Sequence, residues 1–264
     1  MNNTNIKVSV ITPALNEEKN IRFTIDRILD VFERCNISGE IIVVNDGSTD
    51  RTEELVEDFI QSDSRVKVLK HETPQGMGAS FWDGFDHAKG EIIVVIPGDN
   101  ENDPWEILRY YSLLEHVDIV IPFIFNREVR PFLRNILSLL FRLIINSTFV
   151  VNFNYTNGTI LYRKDIIQDV KYRSSSFFFQ TDILIRLVKK GYLFAEVPFR
   201  LDIREQGRSK AVSFPSLLQV MKGYFRLIRD LYFAKESKIK VRFSQKSATA
   251  KRRQNNLIQQ NRNQ

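Results

Sequence analysis

Two hydrophobic periods take turns along the first half of the chain. Residues 7–12 (KVSVIT) are β-branched and stop at Pro13, which predicts a strand. Residues 16–34 place Ile21, Ile25, Ile28, Leu29 and Phe32 on one helical face. Residues 40–45 (EIIVVN) form a near-continuous apolar run, as expected of a strand covered on both faces. A helix over 50–60 turns Leu55, Val56, Phe59 and Ile60 inward, with Asp50 or Ser48 as its cap. A third strand falls at 66–69, a helix at 76–88 and a further buried strand at 91–96 (EIIVVI). Pro104 suits the first position of a helix over 105–114, and 117–121 reads as a fifth strand. Strands alternating with helices predict an α/β fold with a mostly parallel sheet.

The second half is less regular. Leu133, Ile136, Leu137, Leu140, Phe141 and Ile144 share a helical face in 127–150, interspersed with Arg127, Arg130, Arg134 and Arg142. A strand is predicted at 159–162, a helix at 177–190 ending on Gly191, and a last strand at 193–197 before Pro198. Residues 213–233 read as an amphipathic helix whose Pro215 is tolerable in its first turn. The expected organisation is one domain over 1–212, the amphipathic helix at 213–234, and a disordered basic tail at 235–264. No internal repeat is visible.

With 43% hydrophobic and 27% charged residues, the 264-residue chain has an ordinary globular composition. Its length suffices to bury about 70–75% of the unfolded surface. The single cysteine, Cys35, excludes a disulfide framework, and His71, His87 and His116 share no metal-ligand spacing. The N-terminus lacks a secretory pattern, and no run of about 18 uncharged apolar residues predicts an ordinary transmembrane helix. A net charge of +6 invites a nucleic-acid reading. However, nine cations against the single acid Glu236 in 235–264 carry +8, leaving −2 for residues 1–234. The charge belongs to the tail, which argues against nucleic acid as a partner.

In parallel α/β sheets ligands bind beyond the carboxyl ends of the strands. Polar clusters follow the first, second and fourth strands, at 13–17, 46–50 and 97–103. Asp46, placed at a strand tip by Gly47, can accept hydrogen bonds from a base or ribose, or serve as ordinary turn chemistry. Asp99, Glu101 and Asp103 concentrate carboxylate oxygens of the kind Mg²⁺ or Mn²⁺ takes, or form a solvated acidic turn. QGMGAS (residues 75–80) is an incomplete phosphate fingerprint, and close packing explains its glycines better. REQGRSK (residues 204–210) gathers cations suited to phosphate, or to a solvated loop.

Together ITPALNEEKNI (11–21), VVNDGSTDRT (43–52), QGMGASFWDGFDHAKGE (75–91), GDNENDP (98–104), NGTILYRKDII (157–167) and the stretch 182–210 resemble the family 2 glycosyltransferases, of GT-A fold. The likeness is to the branch of dolichyl-phosphate mannose synthases and bacterial polyprenyl-phosphate glycosyltransferases, and it spans residues 6–233.

The resemblance implies a Rossmann-like GT-A domain with a nucleotide-diphosphate sugar as donor. Pro13, Ala14, Asn16, Glu17 and Gly98 would line the nucleotide pocket, with Asp46 on the base. Asp99 matches the last aspartate of the family's D-x-D metal motif, and Arg204, Ser209 and Lys210 match its R-x-x-G-x-S-K element near the phosphates. Pro97 replaces the first aspartate of D-x-D, so Mg²⁺ or Mn²⁺ would rest on Asp99 and Glu101. A lipid-phosphate acceptor needs no general base; a hydroxyl acceptor does, and Asp182 is the candidate. Its other reading is a helix N-terminal carboxylate. Arg127, Arg130 and Arg134 would meet an acceptor phosphate at the start of an interfacial helix, with the protein peripheral on the cytoplasmic face of a membrane. A soluble glycan acceptor, or sugar-nucleotide binding without catalysis, are the rival readings.

Overall fold

Strand β1 (Val8–Ala14) is buried along its whole length, and the helix that follows, α1 (Ile21–Arg34), begins at the first residue of its apolar face and five residues later than the predicted span 16–34. In the computed structural model, which describes residues 6–168, 170–201, 214–233 and 243–262, the chain continues through β2 (Gly39–Asn45), α2 (Thr52–Ser62), β3 (Val66–Lys70), α3 (Met77–His87) and β4 (Ile92–Val95). Each lies within a few residues of its predicted span. Pro104 opens the helix α4 (Pro104–Leu108), whose Asp103 accepts from the Trp105 amide. That helix is shorter than predicted: a separate 3₁₀ turn, Tyr111–Glu115, completes the segment.

Beyond it lie β5 (Ile119–Ile124), α5 (Phe132–Phe149), β6 (Leu161–Arg163), α6 (Lys164–Ile167), α7 (Phe179–Lys190) and β7 (Phe194–Phe199). Gly191 closes α7 at φ 94°, the left-handed position that favours glycine. The helix α8 (Phe214–Ile228) runs into a π-helical segment, Arg229–Phe233, and the last element is α9 (Ala248–Arg262).

The seven strands form one sheet in the order β3-β2-β1-β4-β6-β5-β7. β1 pairs in parallel with β2 and β4, β2 with β3, and β5 with β7. Among the described strands only the three-residue β6 runs antiparallel, inserted between β4 and β5. Two antiparallel steps restore direction, so β4 and β5 point the same way. The carboxyl ends of β1, β2, β4, β5 and β7 therefore share one edge.

Both faces of the sheet are covered, which is why β2 and β4 read as continuous apolar runs. Ile25, Ile28 and Phe32 of α1 and Val56 of α2 pack on one face with Ile41 and Val43. Phe81 and Phe85 of α3 and Ile183 and Leu187 of α7 pack on the other with Ile42 and Val44. Gly84 lets α3 approach this closely: a Cβ there would sit 2.5 Å from Ile11 Cγ2.

The expected disorder of the tail is corrected over residues 248–262, which form α9. Its sequence carries no continuous apolar face. It is held at its N-terminus instead, where the buried Asp118 accepts from the amides of Ala248 and Thr249.

Candidate active site

The loops after β1 and β2 are stitched together. Asn16 sits at φ 57°, a conformation asparagine tolerates better than most residues. Its amide donates to Ser48 Oγ at 2.9 Å, and its Oδ1 accepts from the Thr49 amide at 2.8 Å. The Glu17 amide donates to Thr52 Oγ1 at 2.8 Å, and Glu17 Oε2 accepts from Asn20 at 2.9 Å. Neither Ser48 nor Asp50 takes the cap position of α2, which falls on Arg51; from one residue earlier, Asp50 Oδ1 accepts from the Thr52 amide at 3.0 Å. Burial works against ionisation of Asp50, but hydrogen bonds from Thr52 and the Glu18 amide outweigh it and lower its pKa.

The loop after β4 meets the same edge. The Gly98 amide donates to Pro13 O at 3.0 Å, and a Cβ on Gly98 would press Ile21 Cδ1 at 2.9 Å. Asp99 Oδ1 accepts from the Glu101 amide at 3.1 Å, while Arg27 of α1 reaches Asn100 at 3.1 Å and Asp103 at 3.1 Å. Pro13, Ala14, Asn16, Glu17, Asp46, Gly98 and Asp99 are therefore brought to one sheet edge.

The carboxylate of Asp46 is differently employed than expected. Oδ1 accepts from the Gln75 amide at 2.7 Å and contacts His71 Nδ1 at 2.7 Å, and Oδ2 accepts from the Gly76 amide at 2.9 Å. These contacts anchor the segment that enters α3 through the Asp46 carboxylate. The glycines of that segment serve packing: a Cβ on Gly78 would lie 2.2 Å from Ser174 O.

Asp182 also departs from expectation. It is buried on α7, and Arg186 donates to it at 2.8 Å and to Asp230 at 2.8 Å. Burial raises the Asp182 pKa, against the pull of Arg186. This ion pair ties α7 to the segment after α8, so the helix-terminal reading of the residue holds in a buried form, with Arg186 set against the carboxylate proposed as a general base.

Arg127 and Arg130 line a cavity of about 20 Å³ with Asn135, Arg142, Asn154 and Tyr155. Arg130 Nε is buried there without a hydrogen-bond partner, and its guanidinium lies 5.7 Å from the Tyr155 ring centroid. Arg134 does not line this cavity; Arg142, two turns further along α5, does. The helical spacing of 138 and 142 carried that signal, but only the fold brings Arg130 and Tyr155 opposite.

Leu201 joins the acidic loop to Asn126, the residue before Arg127 of the arginine cavity. It forms a bridge with Asn102, and its amide and carbonyl pair with Asn126 at 2.9 Å each. Arg204, Ser209 and Lys210 follow it in sequence and lie outside the described residues.

A divalent ion is compatible with the donor set. Asp99 and Glu101 offer hard carboxylate oxygens, and Asp103 accepts from the Trp105 amide and pairs with Arg27. Among the described residues no group of three metal-ligating side chains converges. Two carboxylates suit an ion that completes its shell with water and substrate phosphate.

On one side of this edge α5 lies open. Phe132, Leu133, Leu137, Leu140, Leu143 and Ile144 are exposed, and of the helix only Ile145 and Phe149 are buried. At 18 residues and a mean hydropathy of 1.3, α5 is long and apolar enough to cross a membrane by length and composition, which qualifies the reading that no segment is. Leu217, Leu218, Met221, Phe225 and Phe233 extend the exposed apolar surface, and Tyr224 and Tyr232 bond Thr148 to hold the two helices together.

The architecture is shared with glucosyl-3-phosphoglycerate synthase from Mycobacterium tuberculosis, solved with Mn²⁺, UDP and phosphoglyceric acid. That structure superposes with a TM-score of 0.66 at 20% identity, over 84% of this chain and 78% of the other. The family model described as Glycosyl transferase family 2 matches residues 9–171, and the chain belongs to that family. Dolichol-phosphate mannosyltransferase of Pyrococcus furiosus is 28% identical over 85% of this chain and 64% of its own length. Undecaprenyl-phosphate 4-deoxy-4-formamido-L-arabinose transferase of Aeromonas hydrophila is 30% identical over 63% of this chain and 52% of its own. The chain thus spans between about half and two thirds of these relatives.

Proposed function

We propose that this protein is an inverting glycosyltransferase that moves a sugar from a nucleotide-diphosphate sugar to a polyprenyl phosphate at a membrane surface. The observation that carries this reading is the link through Leu201, which joins the acidic loop at Asn102 to Asn126, the residue before Arg127 of the arginine cavity, next to the exposed apolar α5. The names of the Pyrococcus and Aeromonas relatives support the acceptor class.

The donor would occupy the edge formed by Pro13, Ala14, Asn16, Glu17 and Gly98. A divalent ion held by Asp99 and Glu101 would neutralise the departing diphosphate. By the family motif, Arg204, Ser209 and Lys210 would bind the same phosphates. Arg127, Arg130 and Arg142 would hold the acceptor phosphate, whose oxygen attacks the anomeric carbon opposite the diphosphate. The new C–O bond forms as the bond to the diphosphate oxygen breaks, and the nucleoside diphosphate leaves with the electron pair. The acceptor is already an oxyanion, so no side chain has to remove a proton. The exposed face of α5, with the cations of the tail, would keep the enzyme peripheral on the membrane, on its cytoplasmic face.

The test is transfer of radiolabelled sugar from a panel of nucleotide-sugars, with Mn²⁺, to undecaprenyl or dolichyl phosphate in vesicles. Label in the organic phase, lost in Asp99→Asn, is expected. Label confined to a soluble glycan overturns the acceptor, and absence of transfer with any donor overturns the activity.

A further inference from the structure

His71 lies under the donor edge, between two carboxylates. Its Nδ1 is 2.7 Å from Asp46 Oδ1 and its Nε2 is 2.8 Å from Asp83 Oδ2 on α3. A neutral imidazole has one N–H and one acceptor nitrogen, whereas ionised carboxylates only accept. Both contacts are satisfied together by the imidazolium, which donates from both nitrogens. The ring cannot easily turn away: its side chain is 7% exposed, and its backbone amide donates to Asn45 O at 2.9 Å.

Asp46 is the knot of this region. It takes the Gln75 and Gly76 amides, and its own amide donates to Ala14 O at 2.8 Å. Gly47, at φ +75°, passes so close to the 73–76 segment that a Cβ would sit 2.9 Å from Pro74 N. The ends of β1 and β2 and the start of α3 are thereby fixed through one carboxylate, and His71 ties that carboxylate to α3.

We propose that His71 is a positioning residue for the donor: as the imidazolium it holds Asp46, and through it the rim at 46–48 and 73–76, in the shape that accepts the nucleotide. Donor affinity then falls as the ring loses its proton. This rests on the donor-site reading above.

Burial by itself lowers the His71 pKa, but the hydrogen bonds to Asp46 and Asp83 outweigh it, so the value stands above the ordinary 6.5. The linkage has one sign: the stabilisation is complete below 6.5 and is lost as pH rises through the raised value. Other charges near the ring are already engaged. Lys70 of β3 is paired with Glu53 and Glu57 of α2. Arg173, on the Asp83 side, is paired with Asp86. Glu72 is the next residue along the chain.

The experiment is calorimetric titration of the full chain with UDP and with GDP, each with Mn²⁺, from about pH 6 to about pH 9. Wild type is compared with His71→Arg, His71→Gln and Asp83→Asn, all checked for folding by circular dichroism. Arginine keeps two donors and a permanent charge, so its profile isolates the histidine from titration of the nucleotide. Relative to His71→Arg, wild type should lose about tenfold in affinity across the range. His71→Gln should be weak throughout, and Asp83→Asn should move the fall to lower pH. Nitrogen NMR of the His71 ring should show the charged form at neutral pH. Coincident wild-type and His71→Arg profiles, an unmoved profile in Asp83→Asn, or a neutral ring overturns the proposal. Should His71→Gln fail to fold, the remaining variants and the ring spectrum still decide it. If neither nucleotide binds any variant at any pH, the donor-site reading fails and this inference falls with it.

Discussion

Asp118 and Thr249 meet in the protein interior although 131 positions separate them. Asp118 Oδ2 accepts from the Thr249 amide at 3.1 Å and from its hydroxyl, while Oδ1 accepts from the Ala248 amide at 2.6 Å. Thr249 Oγ1 in turn accepts from the Leu193 amide at 2.9 Å. A carboxylate at the start of β5 thus caps α9, a helix exposed over residues 251–260. An isolated helix of that length is marginal in water, so this cap decides whether it forms. Asp118→Ala should cost about 1–3 kcal/mol and open Lys251, Arg252 and Arg253 to trypsin. Unchanged proteolysis at these residues would show that α9 is held by something else.

Asp182 separates two roles by a simple substitution. If it were a general base, Asp182→Asn would abolish turnover. As the buried partner of Arg186, whose other carboxylate is Asp230, it should instead lower stability by about 1–3 kcal/mol. The value of kcat below the melting transition should stay unchanged. Arg186→Met should be worse, by about 3–5 kcal/mol, because it strands a buried carboxylate. Thermal melts alongside steady-state kinetics check both, and a folded Asp182→Asn without activity would restore the catalytic role.

What could be read from the sequence follows from what is local. The runs EIIVVN and EIIVVI announce strands covered on both faces, and their polar successors mark the site edge, because strand burial and turn chemistry are set by neighbours in sequence. The partners of a side chain are not. That Gln75, Gly76 and His71 arrive at the oxygens of Asp46 is a product of the fold. β6 runs antiparallel for the same reason: nothing in LYR states a direction, and its place between β4 and β5 decides it. The helix α9 was hidden because its docking rests on distant polar partners, Asp118 and the Leu193 amide, rather than on an apolar stripe.

The arginine cavity makes a prediction about which cations matter. Arg130 and Arg142 line it with Asn135 and Tyr155, and Arg134 does not. Arg130→Gln and Arg142→Gln should each raise KM for the lipid phosphate by about tenfold or more, since bonds to a charged group contribute about 1.5–3 kcal/mol. KM for the nucleotide-sugar should not move. Arg134→Gln should weaken vesicle binding without this selective effect. Initial rates at varied acceptor concentration measure it, and an equal response from all three arginines would remove the cavity from acceptor binding.

The exposed face of α5 makes the strongest claim on solvent. Leu137 is 44% exposed and Leu140 50%, on a helix whose C-terminal end is fixed by Phe149 stacking on Tyr232. Each such side chain gains about 1.5–3 kcal/mol on full burial, so an apolar surface of this extent calls for a cover. A membrane interface supplies one that also suits Arg127 and Arg134 at the same end. Leu137→Glu with Leu140→Glu should therefore abolish co-sedimentation with anionic vesicles. It should leave the melting temperature in solution unchanged, because neither side chain is buried in the fold. Arg134→Gln should reduce binding mainly at low salt, since only the electrostatic part is screened. If the double variant still sediments with vesicles, the face that meets the membrane is another one. If it instead melts earlier, then α5 is covered by protein, and the helix has to be placed inside an assembly rather than on a bilayer.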